Sequence, residues 1–239
     1  MKIALIGYGK MGQAIEEIAV AQGHEIVLKI GIENVDEFTI EAVQQADVAI
    51  EFTSPHSAVD NIKKCLDAGV AIVSGSTGWL AQWTEVTNYC QEKQGAFLYA
   101  SNFSIGVNLF FELNTYLAKL MAPHTKDYDV TLDEIHHTQK RDAPSGTAIT
   151  LAEQVMQQIA GKKQWVNHIS DNPAELEIIS DRIDPAPGTH KVKYHSVIDD
   201  IEIIHTAHNR KGFAGGAVLA ATFLNGKKGI YNMKQVLGL

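Results

Sequence analysis

The sequence predicts an α/β fold: a doubly wound parallel sheet, then a second α+β domain built on an open mixed, mostly antiparallel sheet. Two observations predict it. Over the first hundred residues, short β-rich runs alternate with helical patterns, which calls for a parallel sheet with helices on both faces. After residue 127 the pattern changes to segments of strict apolar/polar alternation, as in half-buried strands with one wet face.

The elements follow in order. Residues 2–6 (KIALI) read as a strand ending at a glycine, and 13–22 carry Ile15, Ile18 and Ala19 at helical spacing until Gly23 stops the run. Strands are expected at 25–30, 47–53, 70–74 and 96–100, with helical patterns at 56–67 and 79–92 between the last three. A long helix is expected at 107–121, a strand at 127–137 with Tyr128, Val130 and Leu132 alternating, and a helix at 146–159. Strands at 190–198 and 200–207 complete the second sheet, and 213–224 is a small-residue helical run that can return to the first domain. The division expected is therefore 1–103 with 211–239 as one domain and 104–210 as the other.

The chain has 239 residues, 45% of them hydrophobic and 20% charged, an ordinary globular composition that excludes disorder. A net charge of −8 removes the electrostatic footprint of a nucleic-acid binder. No apolar run is long enough to cross a membrane, and residues 1–12 lack the pattern of a signal peptide. Two cysteines, Cys65 and Cys90, are too few for a disulfide framework, so a reducing, cytoplasmic setting is expected. Charge is uneven: residues 1–120 hold 7 Lys and Arg against 14 Asp and Glu, while residues 121–239 hold 13 against 14 together with eight of the ten histidines. The second half thus carries most groups able to bind anions or move protons near neutral pH.

Gly7-Tyr8-Gly9-Lys10-Met11-Gly12 matches GxGxxG between a predicted strand and a predicted helix, the context a dinucleotide-binding loop requires. The glycines permit the turn, the approach of a pyrophosphate and tight helix–strand packing, and the helix N-terminus holds the phosphates. This makes the first domain Rossmann-like. The acidic residue expected about 20 residues on, for the adenosine ribose, is absent: Gly31 stands there. Glu33 can substitute from the loop, while Lys10 and Lys29 favour a 2′-phosphate, so both NADH and NADPH stay open.

The densest reactive stretch is Glu134-Ile-His136-His137-Thr-Gln-Lys140-Arg-Asp-Ala-Pro144-Ser145-Gly146-Thr147-Ala148. Adjacent histidines leaving a strand point to opposite sides, so one of the two naturally faces a given ligand. Ser145 suits the N-cap of the helix opening at Gly146 and Thr147, and that helix start suits a carboxylate. A proton donor, a cation and a carboxylate cradle within fifteen residues describe a catalytic site. Metal binding by His136/His137 or by His205-x-x-His208 is the poorer reading, because no HExxH motif is present and the cysteines are remote in sequence; no metal is expected. The pairs Trp79/Trp83 and Phe110/Phe111 read as core.

Five blocks occur in order: GYGKMG, Gly75-Ser76-Thr77-Gly78-Trp79, Ala100-Ser101-Asn102-Phe103-Ser104, EIHHTQKRDAPSGTA, and His205 to Arg210 with Phe213-Ala-Gly-Gly-Ala217. With them the whole chain resembles the dihydrodipicolinate (4-hydroxy-tetrahydrodipicolinate) reductases of the bacterial diaminopimelate–lysine pathway. The resemblance implies reduction of a cyclic dicarboxylate imine by NADH or NADPH, a substrate and tetramerisation domain, and a homotetramer. It implies His136 as proton donor and acceptor and Lys140 as second proton donor. His137, Ser145, Gly146 and Thr147 become substrate contacts, and residues 7–12, 75–77 and 100–103 the cofactor loops. Another two-domain nicotinamide dehydrogenase, or a catalytically silent nucleotide-responsive regulator, would have no need for His136, Lys140 and the 145–147 cradle together.

Overall fold

The structure is a computed structural model that describes residues 1–209 and 211–239; Arg210, in the last of the blocks above, lies outside them. The chain forms two compact units, Met1–Ile105 with Arg210–Leu239 and Gly106–Asn209.

In the first unit, β1 (Lys2–Ile6), α1 (Lys10–Ala21), β2 (Glu25–Ile30), α2 (Ile40–Val43), β3 (Val48–Glu51), α3 (Ala58–Asp67), β4 (Ala71–Ser74), α4 (Trp83–Glu92) and β5 (Ala96–Tyr99) alternate as expected for a parallel sheet. The sheet has the order β11-β5-β4-β3-β1-β2, where β11 (Gly229–Tyr231) comes from the end of the chain and every pairing is parallel. The strand order reverses between β1 and β3, so the loops leaving their carboxyl ends border a crevice suited to a ligand. Two apolar layers cover the sheet. Trp79, Phe97, Val86 and Ile62 lie in one of them, and Ile3, Leu5, Ile50 and Leu98 lie in the other with α7 (Lys211–Leu224). α7 is rich in Ala and Gly because it lies close: a Cβ on Gly216 would stand 1.8 Å from the Phe103 carbonyl oxygen. The short α8 (Met233–Leu237) closes the chain, capped by Asn232.

In the second unit, α5 (Ile105–Met121), which begins at the unit boundary, and α6 (Gly146–Gln158) cover one face of a five-stranded sheet. Its strands are β6 (Asp129–His136), β7 (Gln164–Val166), β8 (Glu175–Arg182), β9 (Gly188–His195) and β10 (Asp200–Ala207), in the order β10-β9-β6-β8-β7. β6–β9 and β9–β10 are antiparallel, while β6–β8 and β8–β7 are parallel. β6 alternates exposed or half-buried with buried residues along its whole length, so Val130, Leu132, Glu134 and His136 share the covered face.

Several elements differ from the sequence expectation, each for a local reason. The strand expected at 47–53 ends at Glu51, because the Thr53 N–H turns inward to the Glu51 carboxylate (2.9 Å) and the Ser76 hydroxyl (2.7 Å) instead of a neighbouring strand. The helix expected from 79 starts at Trp83 behind a 3₁₀ turn, since the Trp79 indole N–H reaches back to the Ser76 carbonyl (2.7 Å). The strand expected at 190–198 stops at His195, where the Ser196 hydroxyl accepts from the Ile198 and Asp199 N–H groups and makes a turn. β8 is not foreseen, because Glu175, Glu177, Asp181 and Arg182 mask the Leu176–Ile178 alternation; β7 and β11 have three residues each, too few to show a period.

Candidate functional site

The glycine loop lies where β1 meets α1. Gly7 has φ +100°, and a Cβ there would stand 2.0 Å from the Phe52 carbonyl oxygen; a Cβ on Gly12 would stand 2.6 Å from the Gly7 carbonyl oxygen. Both positions therefore require glycine. Gly9 meets nothing within 4 Å on its Cβ side. The N-terminus of α1 has no side-chain cap and no acidic residue in its first turn. An open backbone edge beside free helix N–H groups is what an anionic pyrophosphate needs, so a dinucleotide fits. Tyr8, Lys10 and Met11 complete the loop, with Lys10 exposed and Tyr8 and Met11 half-buried.

The other two expected cofactor segments leave the carboxyl ends of β4 and β5 in the same sheet. In the first, Gly75 and Ser76 are tucked in and Thr77 is exposed; in the second, Ala100, Asn102 and Phe103 are buried and Ser101 is exposed. Two residues without an assigned role in the sequence hold these loops. The Phe52 ring occupies the space a Gly75 side chain would need (2.2 Å to a Cβ) and packs against Phe103 at 5.6 Å between centroids. Glu51, fully buried, accepts hydrogen bonds from the hydroxyls of Ser74 (2.6 Å), Ser76 (2.6 Å) and Thr53. At the position where the sequence leads one to expect the ribose contact, the Gly31 N–H is held by Asn34 (2.8 Å). Lys29 is paired with Glu16 (3.2 Å), which also accepts from the Tyr8 hydroxyl, whereas Glu33 is exposed in the following 3₁₀ turn.

In the second unit the reactive stretch leaves the end of β6. Glu134 and His136 are two residues apart on the covered face and both are buried, while His137 emerges on the other side, half-buried. Glu134 is the hub. Its two carboxylate oxygens each lie 3.1 Å from the Ser145 N–H, and Oε1 accepts from Arg182 Nη2 at 3.2 Å. Oε2 lies 3.5 Å from His136 Nδ1 and 3.7 Å from His190 Nε2. Burial opposes ionisation of Glu134, but polar groups of His190, Ser145 and Ser180 outweigh it and hold the carboxyl well below its usual range. Burial lowers His136 to about 4; Glu134 opposes this shift and His190, Lys140 and Arg182 reinforce it, so the ring is neutral near pH 7.

Ser145 caps α6: its hydroxyl accepts the Ala148 N–H at 3.2 Å and lies 3.1 Å from His190 Nε2. Gly146 is exposed and meets nothing within 4 Å on its Cβ side, and Thr147 is half-buried beside it. Lys140 pairs with both oxygens of Asp142 (2.9 and 2.8 Å). The loop carrying it is strapped by Arg182, which donates to the carbonyls of Lys140 (3.3 Å) and Asp142 (2.7 Å), and by Asp184, which accepts from the Thr138 N–H (3.1 Å) and hydroxyl (2.6 Å).

Glu134, His190 and Arg182 are the residues the sequence reading passes over. Period two along β6 pairs Glu134 with His136 and gives a signal for it, but the partners come from β9 and β8 through strand register: Glu134 faces His190, and His136 faces Arg182. Donor atoms of Glu134, His136 and His190 lie within 4.8 Å of one another, a different set from the histidine pairs considered in the sequence. A guanidinium 3.2 Å from that carboxylate opposes a cation, and the donors around it make a hydrogen-bonded network. His205 packs its ring against Phe110 at 5.9 Å.

Comparison with known proteins places these residues in context. The family model described as dihydrodipicolinate reductase, N-terminus, matches residues 1–103, and the one described as dihydrodipicolinate reductase, C-terminus, matches residues 106–237. The chain is 50% identical to the 4-hydroxy-tetrahydrodipicolinate reductase of Christiangramia forsetii, over 99% of this chain and 98% of that one. It is 34% identical to the reductase of the same name from Methanoregula boonei, over 100% and 98%. Among solved structures, a dipicolinate-bound dihydrodipicolinate reductase from Paenisporosarcina sp. TG-14 shares the fold with a TM-score of 0.76 at 22% identity, covering 97% of each chain.

Proposed function

This chain belongs to the dihydrodipicolinate reductase family, and from that premise we propose that it reduces 4-hydroxy-tetrahydrodipicolinate to tetrahydrodipicolinate and water, using NADH or NADPH, in diaminopimelate and lysine biosynthesis. The observation that carries the reading is the gathering of His136 and the capped start of α6 around the buried Glu134, with Lys140 on the loop between them and near enough to act on His136, in a chain whose other unit has a fitted dinucleotide loop.

Gly7, Tyr8, Gly9, Lys10, Met11 and Gly12 hold the pyrophosphate, and residues 75–77 and 100–103 complete the nucleotide site. Bound there, the reduced nicotinamide supplies a hydride. The remaining chemistry belongs to the second unit. The Gly146 and Thr147 backbone, at the positive end of α6, holds a substrate carboxylate, helped by Ser145 and His137. Elimination of water, the hydroxyl leaving with a proton from the neighbouring carbon, gives the conjugated C=C–C=N system, and hydride addition to its carbon end moves electrons toward the nitrogen at its far end. At that nitrogen the Lys140 ammonium stabilises charge as it develops, and His136 delivers a proton through Nε2 to the carbon beside the one that took the hydride, which restores the C=N bond. The dipicolinate held by the solved relative supports a cyclic dicarboxylate as the substrate class.

The assembly we propose is the homotetramer implied by the family. Supporting it, Leu109, Leu113, Tyr116 and Leu120 form one exposed apolar stripe along α5, each 48–60% accessible, and Ile204 on β10 is exposed at 56%. Among the described residues no helix is long and apolar enough to cross a membrane. With both cysteines free and buried, this is consistent with a cytoplasmic enzyme.

The deciding experiment follows NADH and NADPH oxidation at 340 nm, with substrate made in situ from pyruvate and aspartate semialdehyde by the preceding synthase. Rapid substrate-dependent oxidation is expected. A folded, nucleotide-binding protein that oxidises neither cofactor would be a regulator instead.

A further inference from the structure

We propose that Glu134 is a positioning residue for His136: it holds the imidazole with its hydrogen on Nδ1, leaving Nε2 for the substrate, and supports the positive charge the ring carries before it gives up a proton. The proposal rests on the reading of His136 as the residue that moves the proton.

The geometry assigns the two carboxylate oxygens different tasks. Oε1 accepts from Arg182 Nη2, while the Ser145 N–H lies 3.1 Å from both oxygens. Oε2 faces the imidazoles, 3.5 Å from His136 Nδ1 and 3.7 Å from His190 Nε2. His136 Nδ1 is buried and has no hydrogen-bond partner among the described residues, and the Glu134 carboxylate stands 3.5 Å from it, within reach of a small rotation of either side chain. The other charged or titratable groups facing His136 are His190 from β9, its ring centroid 5.0 Å away, Arg182 from β8, and Lys140 from the loop after β6. All three are cations or become cations on protonation. Glu134 is the one anion among these groups, and its buried position keeps solvent from screening it.

A carboxylate beside Nδ1 selects the Nδ1–H tautomer and stabilises the imidazolium. The step then balances. The bond between Nε2 and its proton breaks, and the pair remains on Nε2. The proton forms a C–H bond with the electron pair that hydride addition has placed on the substrate. His136 is left neutral with hydrogen on Nδ1 and takes its next proton from water.

The test is Glu134→Gln, read first by ¹⁵N NMR of histidine side chains in the ligand-free protein near pH 7.5, with His136 assigned by its loss in His136→Asn. In Glu134→Gln the amide oxygen takes the Oε1 seat, because the Arg182 guanidinium donates there and would meet an amide NH₂ donor to donor, and the amide NH₂ then faces His136 Nδ1. The expected result is the Nδ1–H tautomer in the wild type and the Nε2–H tautomer in the variant, with Glu134→Asp keeping the wild-type form. The variant should also lose about 10²–10⁴-fold in kcat, with KM for the dicarboxylate changed by no more than about threefold. A wild-type Nε2–H tautomer, or a folded Glu134→Gln protein with the wild-type tautomer, overturns the proposal. If Glu134→Gln does not fold, the wild-type spectrum decides. The spectra need no substrate, so this failure is distinct from a wild-type protein that oxidises neither nicotinamide.

Discussion

Gly188 leaves the room that His136 fills. A Cβ on Gly188 would stand 3.1 Å from His136 Nε2 and 3.3 Å from its Cδ2, and Gly188 has φ +154°, a conformation L side chains rarely adopt. Gly188→Ala therefore strains the start of β9 and pushes the imidazole from its seat. The expected cost is about 1–3 kcal/mol, a Tm lower by roughly 3–10 °C. A fall in kcat of about tenfold or more should accompany it, since small misplacements of a reacting group are expensive. Thermal melting and steady-state kinetics on one preparation measure both. An unchanged kcat would show that the ring's place is not set by this glycine.

Lys140 stands on a loop strapped by Arg182 and Asp184, remote in sequence from the glycine loop. Lys140→Ala should lower kcat about 10²-fold or more while leaving the Kd for NADH and NADPH within about twofold, because in the proposed mechanism it removes a charge needed only as the reaction proceeds. Nucleotide fluorescence titration beside turnover separates the two effects. Unchanged turnover would remove Lys140 from the mechanism.

Position 31 offers a direct test of cofactor choice. Gly31 has ordinary extended geometry, φ −111° and ψ −171°, and a Cβ there would meet Asn34 Oδ1 at 3.8 Å and Tyr8 Cβ at 4.0 Å, which are ordinary contacts. Gly31→Asp is thus sterically tolerated. It supplies a carboxylate that accepts from a ribose diol and repels a 2′-phosphate. The ratio of kcat/KM for NADH over NADPH should rise about tenfold or more, measured at 340 nm. A ratio that does not move would place the adenosine ribose elsewhere.

Acid should weaken the second unit through His136. Folding lowers this group from 6.5 to about 4, chiefly by burial. Between these values the unfolded chain binds more protons at this site than the folded one, so stability rises with pH and is lost on acidification from 6.5 toward 4. Glu134, also lowered on folding, adds a loss in the same direction as pH falls below its ordinary 4.5. Melting curves from pH 7 to pH 4 should show a falling Tm, with a shallower decline over this window in His136→Asn. Parallel declines in the two proteins would mean that His136 titrates normally.

The sequence by itself determined the parts that local patterns encode. Alternating strands and helices specify the parallel sheet, the GxGxxG context specifies the turn between β1 and α1, and Ser145 ahead of Gly146 specifies a capped helix. These depend on a few neighbouring residues, and period or spacing displays them. Only the tertiary structure decided what surrounds the chemistry. Arg182 and His190 reach Glu134 through strand register across 48 and 56 residues of chain, Phe52 and Glu51 bind loops from three strands, and Gly188 makes space for His136. Register and close approach are settled by packing the covered sheet face against α5 and α6, where one residue of slip would turn Glu134 outward, and no local pattern records which strand becomes the neighbour of which.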